Sequence, residues 1–172
     1  MTVRVANVQR RLPVDTAAMA RVARGAVRRL RIRRRGTLAI TFIDDRRMRA
    51  LNKRFLGHDR PTDVLSFRYD GEPIAGEILI APGEARTYAK RHGISYEHEL
   101  SRYVVHGLLH WLGHEDRTAA EQRKMRRVED QLLGLAGADP ARFASPHTTS
   151  GVGASRDIRQ SSLADVPRAA NG

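Results

Sequence analysis

The chain contains no cysteine. That excludes disulfides, thiolate metal sites and a cysteine nucleophile, so any bound metal must sit on His, Asp or Glu. Aromatic residues make up only 5% of the sequence, too few for a surface that stacks one base after another. No apolar run approaches the roughly 18 residues of a membrane span. The opening "MTVRVANVQRR" lacks the apolar centre of a signal peptide. A cytoplasmic location with no membrane partner is therefore expected. Lysine is scarce as well: Lys53, Lys90 and Lys124 are the only three, and arginine carries nearly all the positive charge.

What is present suits one globular domain. The 172 residues are 41% hydrophobic, enough for a single core. The formal charge of +12 favours a polyanionic partner, because Lys and Arg neutralise phosphates and release counterions. An arginine-rich base composition of the genome would give the same excess without any nucleic acid, and the basic "RIRRRG" reads equally as a solvated surface or a phosphate contact.

Strands alternate with helices in the first half. "TVRVANV" and "TLAITFID" have the period-two pattern of strands. Between them Asp15 caps a helix with Met19, Val22, Ala23, Ala26, Val27 and Leu30 on one face. Asp44 or Asp45 caps a second helix with Met48, Leu51 and Phe55 inward. After the turn residues Gly57, Asp59 and Pro61, a strand starts at Val64 and another follows in "GEILIAP". Pro82 opens a helix that Gly93 closes. Ser95 caps the next, with Glu97 and Glu99 at its positive end. "TAAE", Thr118 to Glu121, is a capping box for a last helix with Met125, Val128 and Leu132 inward. From Ala138 the sequence is rich in Ala, Ser, Gly and Pro without periodicity. These patterns predict an α+β domain over 1–137, a small mixed β-sheet packed with helices, and a disordered tail over 138–172.

The segment "VVHGLLHWLGHED", Val104 to Asp116, carries the chemistry. His106 and His110 stand four apart on a helix, about 6 Å from each other on one face. Two imidazoles so placed can grip one metal ion, as in the H-E-x-x-H zinc helix. Gly113 ends the helix and lets the chain turn, with His114, Glu115 and Asp116 all available as a third ligand. Three protein ligands and an open position make a catalytic zinc site. The alternative is a pair of histidines hydrogen-bonded within the core. Position 107, where a zinc peptidase places its general-base glutamate, holds Gly107, which argues against peptidase chemistry.

"HGLLHWLGHED" resembles the H-G-x-L-H-L-x-G-x-D-H signature of the YbeY-type endoribonucleases, the rRNA maturation factors. "RPTDVLSF", Arg60 to Phe67, is similar to that family's other hallmark, and "AGEILI", Ala75 to Ile80, to the strand after it. The likeness covers roughly residues 35–135. It implies a single-domain α+β hydrolase with one Zn2+ per chain at the end of a central helix. Such an enzyme acts on single-stranded RNA in small-subunit rRNA processing and in quality control of ribosomal particles. It also implies His106 and His110 as zinc ligands and puts Asp116, ten after His106, at the position of the third, where the family has histidine. A residue three past the glycine has room to return toward the two imidazoles; His114, directly after it, has less.

The chain departs from the family elsewhere too. His114 stands where tyrosine is frequent. The basic residue usual two before the loop aspartate is absent around Gly57, His58 and Asp59. Arg60, with Arg54 second, is the candidate to hold the phosphodiester and offset charge in the transition state. His58 is a candidate proton shuttle, and Glu115 a candidate general base. Thr62, Asp63 and Ser66 serve either substrate contacts or turn hydrogen bonds. A non-catalytic RNA- or ribosome-binding assembly factor with a structural zinc is the competing function, and a metallopeptidase a third.

Overall fold

The computed structural model describes residues 1–59, 62–69 and 73–134. Its elements run β1 (Thr2–Asn7), α1 (Thr16–Arg29), β2 (Thr37–Phe42), α2 (Asp45–Leu56), β3 (Val64–Arg68), β4 (Ile74–Ile80), α3 (Pro82–His92), α4 (Tyr96–Trp111) and α5 (Ala119–Leu133). The sheet order is β1-β2-β4-β3. β1 and β4 pair parallel to β2, while β3 pairs antiparallel to β4. The mixed sheet with helices is the α+β architecture that the patterning predicts. The anticipated tail, 138–172, lies outside the described residues.

Alternation along the strands divides the core in two. Leu38, Ile40 and Phe42 of β2, Val64 of β3 and Ile78 and Ile80 of β4 face α1, α4 and α5. Leu65, Phe67 and Leu79 face the other way and pack with Met48 and Leu51 of α2. α4 is therefore the central helix, with Leu100, Val104, Val105, Leu108 and Leu109 all at most 1% exposed. A helix buried nearly all round must place its few polar groups with care.

The caps fall where the sequence puts them. Asp15, Asp44 and Ser95 each accept from a backbone N–H in the first turn, and Thr118 and Glu121 form the reciprocal capping box. Asp44, not Asp45, is the cap of α2. Glu97 and Glu99 both lie in the first turn of α4 as read, but Glu99 is 0% exposed there, beside Arg102.

Candidate metal centre

Position 107 explains how α4 reaches the sheet. A Cβ there would lie 2.6 Å from Cγ2 of Ile78 and 2.9 Å from Cγ1 of Val64. The Ser66 hydroxyl donates to the Gly107 carbonyl at 2.9 Å. The glycine thus lets the helix lie flush on β3 and β4 and joins the two sequence hallmarks. It also shows that position 107 faces the sheet, so a peptidase glutamate would not fit there.

One face of α4 carries Glu99, Arg102, His106 and His110, at spacings of three, four and four. The helix ends in a Schellman motif. The Gly113 N–H bonds the His110 carbonyl at 2.9 Å, and the His114 N–H bonds that of Leu109 at 3.0 Å. Gly113 has φ 92°, the left-handed conformation that glycine adopts without strain. The chain reverses here and Asp116 returns to the histidines. The Gln122 amide holds the Asp116 carbonyl at 2.9 Å.

Ligand atoms of His106, His110 and Asp116 lie within 4.8 Å of one another. Nε2 of His106 and Nε2 of His110 are 3.0 Å apart, with Asp116 oxygens at 3.9 and 3.7 Å. Tetrahedral donors about 2.0–2.1 Å from a zinc ion are about 3.3 Å from each other, so these separations bracket a zinc site. The side chains are only 6%, 6% and 3% exposed. His106 Nδ1 lies 2.8 Å from Glu129 Oε1, and its Nε2 faces His110 and Asp116. Two facing ring nitrogens need a proton or a cation between them, and Asp116 supplies the negative charge a cation would balance. The donor set fits zinc.

Burial alone would push the His106 imidazole down. The bonded Glu129 carboxylate, with Asp63 and Asp116 nearby, outweighs it and holds the group above its ordinary value. His114 does not join the cluster. Burial, then Lys124 and His110, push it below its ordinary value, and it lines a cleft with Glu115, Glu121 and Lys124.

The other candidates are placed as follows. Glu115 pairs with Arg117 at 3.0 Å. His58 is half-buried after α2. Arg54 lies over the adjacent Phe55 ring at 5.5 Å. Arg60 is outside the described residues. Asp63 Oδ1 accepts from the Val64 N–H at 3.0 Å, the turn use of such a group. Reading the sequence missed Glu129 and Arg102, which are 4% and 1% exposed. Their signal was there: a charged residue on the same helical face as buried neighbours.

A family model described as "Endoribonuclease YbeY" matches residues 4–137. A protein of that name from Pelotomaculum thermopropionicum is 35% identical over 146 residues, 78% of this chain and 96% of the relative. Another from Geobacillus kaustophilus is 34% identical over 140 residues, 74% of this chain and 83% of the relative. A solution structure of a Thermotoga maritima protein superposes with a TM-score of 0.53 at 23% identity, over 85% of this chain and 99% of the other. That last likeness concerns the fold alone.

Proposed function

The chain belongs to the YbeY endoribonuclease family, and from that premise we propose that it is a zinc-dependent endoribonuclease. Its substrate is single-stranded RNA, cut during small-subunit rRNA maturation and ribosome quality control in the cytoplasm. The observation that carries this reading is the convergence of His106, His110 and Asp116 within 4.8 Å at the end of the central helix. Among the described residues no helix is long and apolar enough to cross a membrane, and the charge of +12 suits a polyanion.

His106, His110 and Asp116 would hold the zinc, which when bound would supply a Lewis acid for a phosphate oxygen. Arg60, helped by Arg54, grips the phosphodiester and offsets its growing charge. His58 serves as the proton shuttle, and Glu115 takes a proton once released from Arg117. The carboxylate of Asp116 makes the centre less positive than a third neutral imidazole would.

A structural zinc in an assembly factor would ask for four protein donors; the cluster among the described residues offers three. The experiment is elemental analysis of untagged protein followed by cleavage of labelled single-stranded RNA with and without chelator. About one zinc per chain and chelator-sensitive cleavage are expected. Zinc without cleavage favours the assembly factor, and no zinc sinks the metal reading. Asp116→Ala should weaken zinc binding by more than the about 10–100-fold typical of an outer partner. Asp116→His should keep the ion, and His114→Ala should be mild. Loss of zinc in His114→Ala but not in Asp116→Ala would reassign the ligand.

A further inference from the structure

We propose that Glu129, held by Arg102, is the positioning residue of this centre: it fixes the His106 ring with its proton on Nδ1 and its Nε2 lone pair turned to His110 and Asp116 before any metal arrives. The inference rests on the reading of the cluster as a metal site.

Four ionisable side chains meet behind His106. Glu129 Oε1 lies within hydrogen-bond distance of His106 Nδ1, at 2.8 Å. Its other oxygen, Oε2, takes Nη1 of Arg102 at 3.0 Å. Nη2 of Arg102 is held by Asp130 at 3.0 Å, which fixes the guanidinium plane. Glu99 lies beyond, 3.8 Å from Nε of Arg102. A buried ion pair seldom stabilises a fold more than apolar residues of the same volume would. What apolar residues could not do here is choose a tautomer. Both oxygens of Glu129 are engaged, Oε1 by His106 and Oε2 by Arg102, so it serves as an acceptor on both sides.

A glutamine at 129 has a single oxygen for two donors. Either His106 or Arg102 is then left facing an NH2 group, and the tautomer is no longer dictated. His110 has no such anchor: its Nδ1 is buried without a hydrogen-bond partner among the described residues. The two ligands are thus held unequally: the His106 ring has a charged partner on Nδ1 and the His110 ring has none there. The helix that positions His106 positions the third ligand too. Gln122 and Glu129 are seven apart on one face of α5, and Gln122 bonds the Asp116 carbonyl.

The test uses the full chain. Ring 15N NMR of chelator-stripped wild type, followed up in pH until the His106 ring is neutral, should give His106 a protonated Nδ1 and an unprotonated Nε2. Glu129→Gln should give a mixture of tautomers and weaken zinc by about 10–100-fold, measured by competition with a chromogenic chelator. Wild type with the proton on Nε2, or with mixed tautomers, overturns the proposal without reference to any variant, so a Glu129→Gln chain that fails to fold does not rescue it. Zinc affinity within twofold of wild type and an unchanged tautomer in Glu129→Gln overturn it as well. Wild type that takes up no zinc at all sinks the metal reading instead, whichever tautomer the ring shows.

Discussion

Glu99 is the least expected side chain in the molecule. It is 0% exposed, and burial holds its carboxyl at about 7 despite the Arg102 guanidinium beside it. The folded state keeps a proton that the unfolded chain releases near the ordinary 4.5. Stability from this group is therefore present at acid pH and declines as pH rises from about 4.5 to about 7, by up to about 3 kcal/mol. Glu99→Gln has no such slope. With zinc in excess for both proteins, urea unfolding should show the variant gaining on wild type between pH 5 and pH 8. An equal difference at both pH values would contradict the assignment. The face on which Glu99 lies could have been read from the chain, since Glu99, Arg102, His106 and His110 follow helical spacing. That Arg102 pairs with Glu129, 27 positions away, could not, because that contact depends on how α5 folds back.

Among the elements, α4 depends on its fit to the sheet. Helix propensity alone predicts that Gly107→Ala adds about 1 kcal/mol of stability. Packing predicts the opposite, because the new Cβ would meet the stiff branched ends of Ile78 and Val64 at 2.6 and 2.9 Å. Overpacking costs about 1–3 kcal/mol, so we expect a net loss of about 1 kcal/mol in chemical denaturation. A more stable variant would show that the helix rides free of β3 and β4. The same residue shows what periodicity misses. Its absent side chain was legible as a missing peptidase base, but the reason a side chain is absent lies in strands 29 and 43 residues earlier.

For the molecule as a whole, charge is the governing quantity. Much of α1 and the segment after it is exposed arginine, including Arg21, Arg24, Arg28, Arg31, Arg33 and Arg35. Arg29 is different, donating to the Gln131 and Leu132 carbonyls at the end of α5. If the partner is single-stranded RNA gripped mainly by phosphates, log affinity should fall linearly with log salt, by about 0.7 per phosphate neutralised. Binding indifferent to salt would contradict that. The sequence from Ala138 onward has no apolar stripe to bury, so deleting 138–172 should leave the unfolding transition unchanged, and a strong shift on truncation would make the tail part of the fold.

Local chemistry was enough for much of this protein. Caps at Asp15, Asp44, Ser95 and Thr118, the inward faces of α1, α2 and α5, and the reversal at Gly113 all follow from residues a few positions apart. The His106/His110 pair is of the same kind, because one helical turn sets its spacing. Two decisions belonged to the tertiary structure. β3 inserts antiparallel at the edge beside β4, a choice made by which faces the helices must cover. Glu129 reaches His106 across 23 positions. Those contacts come from chain reversal and helix packing, whose energies are shared among distant residues and leave no periodic trace in the sequence.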